Sequence, residues 1–150
     1  MSGTDTTPSG TKHRLRHRAR EAAVQILYQS EVGHTDVEDV LRTFWLANLP
    51  GSEDAPESVR TFAEQLVRLT TSSMDKVDPI IAETAEHWRL SRMAALDRII
   101  LRLAIAEFLD ASTPRNVVIN EALELAKTFS GEESVKFVNG ILDAVKKKMP

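Results

Sequence analysis

The chain has 150 residues, 42% of them hydrophobic and 27% charged, which is enough to bury the core of one domain. It contains no cysteine, and its most apolar stretch, 99–109, is interrupted by Arg102 and Glu107; this excludes disulfides, thiolate nucleophiles, cysteine-containing zinc sites and a membrane span, so we expect a cytoplasmic protein. The formal net charge of −3 combines +4 over residues 1–20 with −7 over the rest, and a basic tail on an acidic body indicates binding to nucleic acid or another anionic surface.

The first predicted element is an N-terminal arm. Residues 1–17 are expected to form a disordered basic arm, because the beginning of the chain is rich in Ser, Thr, Gly and Pro. The apolar spacing then predicts a first helix from about Arg18 to Val32. A helical domain is therefore expected over residues 18–150.

Three further helices are predicted in the middle of the chain. Thr35 and Glu38 have the spacing of a capping box, which indicates the start of a second helix. Pro56 is suited to the first position of a third helix. A fourth helix is predicted near Pro79, where apolar residues again recur at helical intervals.

The last third of the chain predicts three more helices. Ser91 is a candidate cap for a helix from about Arg92 to Ala111, which is apolar almost all round and is therefore predicted to lie at the centre of the fold. Amphipathic helices follow over Ile119–Phe129 and Glu132–Lys147. The predicted fold class is all-α, a compact bundle of about seven helices with a flexible basic N-terminal arm.

The basic residues of the arm do not fit a purely structural role. Arg18 and Arg20 fall at the predicted start of a helix, where the macrodipole disfavours positive charge. The cations alternate along the chain, so an extended arm would place them on one side about every 6.6 Å, a repeat suited to a phosphate chain. A tail that only maintains solubility remains an alternative, and binding to acidic lipid is a weaker one. The cations are Lys12, Arg14, Arg16, Arg18 and Arg20.

Aromatic and arginine residues elsewhere are candidates for two different roles. Phe137 lies off the predicted core face of the last helix and beside Lys136, so it is a candidate platform for base stacking. Tyr28 is either a core residue or an exposed aromatic near the arm. Arg98 and Arg102 are spaced i, i+4, and for them a structural salt-bridge network is preferred to a phosphate site.

Nothing in the sequence indicates catalysis. The histidines, at positions 13, 17, 34 and 87, show no metal-ligand spacing on a common helix face. The glycines form neither a P-loop nor a dinucleotide fingerprint, and no serine has the context of a nucleophile elbow. We therefore expect a protein that is not an enzyme and has no cofactor or metal site.

Several strings of residues together resemble the NusB family of bacterial transcription antitermination factors. The most specific are Val118–Ala122, Leu125–Lys127 and Phe137–Asp143. Asp97–Arg102 and the segment that begins Arg18-Ala19-Arg20 fit the same family. The resemblance covers about residues 14 to 145 in order and without a large insertion.

The resemblance implies two packed helical subdomains and a role in processive antitermination, notably of ribosomal RNA. It also implies binding of the boxA element of nascent RNA together with NusE, a ribosomal small-subunit protein, within the RNA polymerase antitermination complex. By correspondence with the family, RNA contact is expected at Arg14, Arg16, Arg18, Arg20, Tyr28, Lys136 and Phe137, modulation of RNA binding at Glu133, and NusE contact at Tyr28 and Asp97.

A protein-interaction scaffold or homodimer is the competing hypothesis. In that case helix faces would bind partners and RNA contact would be incidental. Phe44, Trp45 and Phe62 are candidates for such an interface, although a place in the core is the simpler interpretation of each. The sequence leaves open the oligomeric state, the RNA sequence that is read, and whether RNA binding requires NusE.

Overall fold

The computed structural model describes residues 9–46, 55–85 and 89–150, and within these ranges it contains six α-helices, one 3-10 turn and no strand. The predicted all-α fold class is confirmed. The elements are α1 (Ser9–Gly33), α2 (Val37–Phe44), α3 (Glu57–Thr84), the 3-10 turn Leu90–Arg92, α4 (Ala95–Asp110), α5 (Arg115–Phe129) and α6 (Glu132–Lys148).

Helix α4 is the centre of the fold, as its apolar sequence predicts. Side chains on all of its faces are buried, from Ile99 to Phe108, and the helix packs against α1, α3, α5 and α6. Helix α1 also packs on α2 and α3, while α5 packs on α6. No helix in the described ranges is long and apolar enough to cross a membrane.

The predicted third and fourth helices are one helix. Helix α3 continues through Pro79 to Thr84 instead of restarting at the proline. A proline removes one backbone hydrogen bond, which is a local loss. Val77 and Ile81, on either side of it, are both fully buried, so packing against the core offsets that loss and keeps the helix continuous.

Several predicted helix starts also differ from the structure. The capping box at Thr35 is wrong, because Thr35 Oγ1 donates to the Gly33 carbonyl at 3.2 Å and Asp36 is the N-cap residue. Ser91 lies in the 3-10 turn and α4 begins only at Ala95. Helix α5 begins at Arg115, directly after Pro114, so it is four residues longer than predicted.

The largest difference concerns the arm. The predicted start of the first helix at about Arg18 is wrong, because α1 begins at Ser9 and includes the basic residues from Lys12 onward. The extended arm is therefore corrected to a helix over residues 9–17. Arginine, lysine and leucine are good helix formers, and Leu15 packs against the hydrophobic core, so this segment extends the helix behind it. Residues 1–8 lie outside the described residues.

Candidate nucleic-acid interface

The basic residues of α1 lie on two faces of its N-terminal half. Lys12 and Arg16 are one turn apart on one face, and Arg14 and Arg18 are one turn apart on the other, as residues spaced i, i+4 must be. Lys12, Arg14 and Arg16 are exposed and Arg18 is partly exposed. These four residues, called here the cationic turns, place positive charge at the surface of the N-terminal half of α1.

The described contacts of Arg14 and Arg16 are with neutral groups. Arg14 Nη2 donates to Thr11 Oγ1 at 3.3 Å, and the guanidinium of Arg16 lies over the Phe62 ring of α3, 4.5 Å from its centroid. Within the described ranges, no carboxylate forms an ion pair with Lys12 or Arg14. Lys12 and Arg14 are therefore available to an anionic ligand at little cost.

Arg20 does not belong with the cationic turns. Its side chain is 3% exposed, and its Nε and Nη2 donate to the two carboxylate oxygens of Glu107 in α4 at 3.0 and 2.8 Å. The prediction that Arg20 contacts RNA is corrected, because reaching a phosphate would leave the buried carboxylate of Glu107 without its partner. Arg20 is a structural residue that ties α1 to α4.

A second acid, Glu121 of α5, joins this buried pair to two histidines. Glu121 is buried, and its Oε1 lies 3.6 Å from Arg20 Nη1 and 3.0 Å from His17 Nδ1. Its Oε2 lies 3.6 Å from His13 Nε2. His13 and His17 lie one turn apart on a common face of α1. The expectation that no histidines share a helix face at such a spacing is therefore wrong for this pair.

The two histidines line a cleft between α1 and α5. The cleft has a volume of about 580 Å³ and is also lined by Arg14 and Glu124. No group of three or more histidine, aspartate or glutamate side chains in the described part of the chain has the geometry to hold a metal ion. The cleft joins the cationic turns to the buried carboxylate of Glu121.

Sequence reasoning missed this cluster because its members are far apart in the chain. His17 and Glu121 are 104 positions apart, and Arg20 and Glu107 are 87 apart. One signal was present: Glu107 interrupts the apolar run of α4, and an acid in a helix that is apolar all round requires a buried partner. The identity of that partner could not be read from spacing.

Arg98 and Arg102 form the structural network that was predicted for them. Both guanidinium groups pair with Glu31 of α1, and Arg102 Nε also donates to Asp78 of α3 at 2.8 Å. Arg98 Nη1 donates in addition to the carbonyl groups of Leu90 and Met93, at 3.0 Å each. The network joins α1, α3 and α4, and it leaves neither arginine for phosphate.

Tyr28 and Asp97 lie away from the cationic turns. Tyr28 is 39% exposed, so it is a surface aromatic, and about 21 Å of helix rise separate it from Arg14. Asp97 lies in the first turn of α4, and its Oδ1 is buried with no hydrogen-bond partner in the described structure. A buried carboxylate oxygen without a partner is rare in folded proteins and is a candidate contact for another molecule.

The remaining predicted RNA-binding residues lie in the first turns of α6. Glu133 and Lys136 are exposed, and Phe137 is half-buried and packs against the core. The expectation that Phe137 lies off the core face is therefore only partly met, since one part of the ring is in contact with the core. The described contacts do not bring Glu133 or Lys136 into the cluster around Glu121.

The aromatic residues of the scaffold hypothesis belong to the core. Phe44 is fully buried, and Trp45 and Phe62 are half-buried and pack against the core. The rings of Phe44 and Trp45 contact each other edge to face at 4.9 Å. These three side chains therefore do not form an exposed apolar face.

Comparison with known proteins identifies the family. The model of the NusB family matches residues 17–147, which is most of the chain. The chain belongs to the NusB family. Relatives described as transcription antitermination protein NusB include one from Koribacter versatilis, 44% identical over 89% of this chain and 90% of the relative. Another, from Solibacter usitatus, is 47% identical over 90% of both chains.

Solved structures of NusB proteins share the fold. The structure of T. maritima NusB matches with a TM-score of 0.76 and 35% identity, covering 89% of this chain and 91% of that one. A crystal structure of the antitermination factors NusB and NusE in complex with double-stranded RNA matches with a TM-score of 0.72 and 26% identity, covering 91% of this chain and 98% of that one. The predicted class, a transcription antitermination factor and not an enzyme, is confirmed for this NusB-family chain.

Proposed function

We propose that this NusB-family protein binds boxA-type single-stranded RNA in the cytoplasm, together with NusE, within the antitermination complex of RNA polymerase. The observation that carries the proposal is the group of cationic turns, Lys12, Arg14, Arg16 and Arg18, at the surface of α1. Phosphate contacts from such residues supply affinity and position the protein, while base contacts supply specificity. A related NusB structure that contains NusE and double-stranded RNA supports RNA and NusE as the classes of partner.

The base contacts are assigned to α6 and the partner contacts to the far end of α1. We assign base stacking to the exposed part of Phe137, with Lys136 beside it for a phosphate group. Glu133 lies one turn before Phe137 and opposes RNA by its negative charge. Tyr28 and the unpaired Oδ1 of Asp97 are assigned to NusE contact, with Tyr28 near the junction of RNA and NusE.

The first experiment is fluorescence anisotropy with boxA-type RNA, a scrambled single strand and a boxA duplex, each titrated with the protein alone and with NusE. We expect preference for the boxA single strand, tightened by NusE. Four phosphate contacts on a single strand predict a log–log salt slope of about −3. Equal, salt-sensitive binding to all three RNAs would reduce the proposal to a basic helix, and absence of binding even with NusE would favour the scaffold hypothesis.

The charge contribution is isolated by a matched pair of double variants. Lys12→Ala/Arg14→Ala removes two positive charges from the cationic turns, whereas Lys147→Ala/Lys148→Ala removes two at the end of α6. The first variant is expected to reduce the salt slope by about 1.4, at roughly 0.7 per contact, and the second to leave it unchanged. An equal reduction of the salt slope in the two variants would mean that RNA binding depends only on the net charge of the protein.

The stacking contribution is tested by Phe137→Leu. Leucine retains most of the packing of the half-buried ring but has no aromatic face. We expect the boxA preference to fall while the salt slope stays the same, because stacking does not involve phosphate. Unchanged discrimination between boxA and scrambled RNA would remove Phe137 from the site.

A further inference from the structure

We infer that Glu121 is a positioning residue for RNA binding: through His13 and His17 it holds the N-terminal turns of α1 in a docked helix and so presents Arg14 and Arg18 in fixed positions. This inference rests on the proposed function, since it assigns RNA contact to the two arginines. The sequence predicted an arm that becomes ordered when RNA binds, whereas here residues 9–17 are already ordered before RNA binds. Ordering a segment in advance lowers the cost of binding.

The contacts of Glu121 reach two successive turns of α1. His13 and His17 both direct a ring nitrogen at the Glu121 carboxylate, at 3.6 and 3.0 Å. Each histidine directly precedes an arginine of the cationic turns in the chain. A carboxylate on α5 therefore fixes the height and rotation of the helical turns that carry Arg14 and Arg18, which lie about 6 Å apart along the helix axis.

The Glu121 carboxylate is itself held in place by buried residues of the core. Glu121 has a side-chain exposure of 4%, and the buried guanidinium of Arg20 lies 3.6 Å from its Oε1. Arg20 is in turn fixed by its two hydrogen bonds to Glu107 of α4. The anchor is therefore part of the rigid core, and α1 is connected to it at three positions: His13, His17 and Arg20.

His17 lies between two carboxylates. Its Nδ1 faces Glu121 at 3.0 Å and its Nε2 faces Glu21 at 3.4 Å. The ring is therefore held on one side by α5 and on the other by an acid of its own helix, which fixes its orientation toward Glu121.

Other charges at this place belong to three helices. Acids outnumber the arginines in this cluster. In the cleft and beneath it the charged and titratable groups are His13, Arg14, Arg20 and Glu21 on α1, Glu107 on α4, and Glu121 and Glu124 on α5.

The test compares Glu121→Gln with Glu124→Gln in the full chain. Both variants remove one negative charge from the same cleft, but Glu124 is exposed and has no hydrogen bond or ion pair in the described structure, so it is a matched control. We expect Glu121→Gln to weaken boxA RNA binding about tenfold, because Arg14 and Arg18 must then be ordered on binding. Glu124→Gln is expected to leave affinity unchanged or slightly higher.

A purely structural role of Glu121 is separated by local amide exchange. In the wild type, residues 9–17 are expected to be protected from amide exchange. In Glu121→Gln and in His13→Gln/His17→Gln, the protection of residues 9–17 should fall together with RNA affinity, while the protection of α4 is retained. Loss of protection in α4 as well would mean a general loss of stability and would overturn the positioning role, and the histidine variant keeps the test valid even if Glu121→Gln folds poorly.

The possible outcomes distinguish this inference from the proposed function. If the wild type binds no RNA, with or without NusE, the proposed function fails. If the wild type binds RNA but Glu121→Gln and Glu124→Gln bind it equally, the RNA-binding function stands and the positioning role of Glu121 is overturned. Unchanged protection of residues 9–17 in His13→Gln/His17→Gln would likewise overturn the role of the histidines.

Discussion

Two arginine–glutamate pairs in this protein have nearly the same geometry and opposite surroundings. Arg20 donates through Nε and Nη2 to Glu107 at 3.0 and 2.8 Å, with side chains 3% and 6% exposed. Arg68 of α3 donates through the same two atoms to Glu38 of α2 at 3.2 and 3.0 Å, with side chains 52% and 51% exposed. Both are bidentate, so any difference in their contribution to stability comes from burial.

Burial changes the cost of losing one partner rather than the strength of the bond alone. An exposed carboxylate that loses its arginine is solvated by water, whereas a buried one keeps its charge in a medium of low polarity. A third arginine, Arg14, is exposed and has no ion pair in the described structure, since its described hydrogen bond is to a threonine hydroxyl. The three arginines are thus buried and paired, exposed and paired, and exposed without an ion pair.

The largest effect is expected from Arg20→Ala. Removing the guanidinium leaves Glu107 and Glu121 buried without a permanent counter-ion, which costs about 3–5 kcal/mol. For a chain of this size such a loss lowers Tm by on the order of 10 °C, measurable by circular dichroism or calorimetry.

Arg16→Ala is the control for this variant, because Arg16 lies over the same Phe62 ring one turn earlier but is exposed. Its contact with the ring contributes about 0.5–1 kcal/mol. Similar Tm values for Arg20→Ala and Arg16→Ala would show that burial does not make Arg20 more important for stability than Arg16.

The sequence predicted the fold more fully than the site. Apolar residues on all faces of α4 and the periodicity of α6 are local properties, and each corresponds to an observed helix. Pro79 was misinterpreted because the burial that keeps α3 continuous comes from other helices. Local signals therefore predicted most helices, and tertiary packing decided where some of them begin and end.

The arm shows why the site was harder to predict. Five cations with the same spacing in the sequence have different surroundings, because a helix turns Arg20 toward Glu107 while it leaves Arg14 at the surface. The alternating pattern suggested an extended chain, and nothing local indicated the anchor at Glu121 on another helix. Which basic residues remain at the surface depends on these distant acids.

An intermediate loss of stability is expected for Glu31→Gln. Glu31 bridges Arg98 and Arg102, whose side chains are only 15% and 14% exposed. The variant therefore leaves two mostly buried guanidinium groups, one turn apart, without the carboxylate that they share. Because Glu31 is 30% exposed and Arg102 keeps Asp78, we expect a cost of about 1–2 kcal/mol, well below that of Arg20→Ala. Asp78→Asn affects only Arg102 and should therefore lower Tm less than Glu31→Gln does. A larger Tm loss in Asp78→Asn would contradict the role of Glu31 as the bridge between the two arginines.

Arg14→Ala is expected to affect binding rather than folding. An exposed side chain without an ion pair in the described structure should change stability by less than about 0.5 kcal/mol when truncated. Loss of one phosphate contact should reduce the salt slope by about 0.7, which corresponds to about fivefold weaker RNA binding near 0.1 M salt. A marked fall in Tm, or an unchanged salt slope, would place Arg14 with the structural arginines.

The smallest effect is expected from Glu38→Gln. The hydrogen bond from Arg68 lowers the pKa of Glu38, and the same contact raises the pKa of Arg68. A carboxylate whose pKa is lowered on folding adds stability above its unfolded pKa, and this contribution disappears as the pH falls through the folded value. We therefore expect wild type and Glu38→Gln to differ slightly in Tm at pH 7 and low salt, and to coincide below about pH 4 or in about 1 M salt. The effect should be small because both side chains of the pair are half exposed. A Tm difference as large as that of Glu31→Gln, or one that persists in acid, would contradict the explanation that burial makes the Arg20–Glu107 pair more important for stability than the Arg68–Glu38 pair.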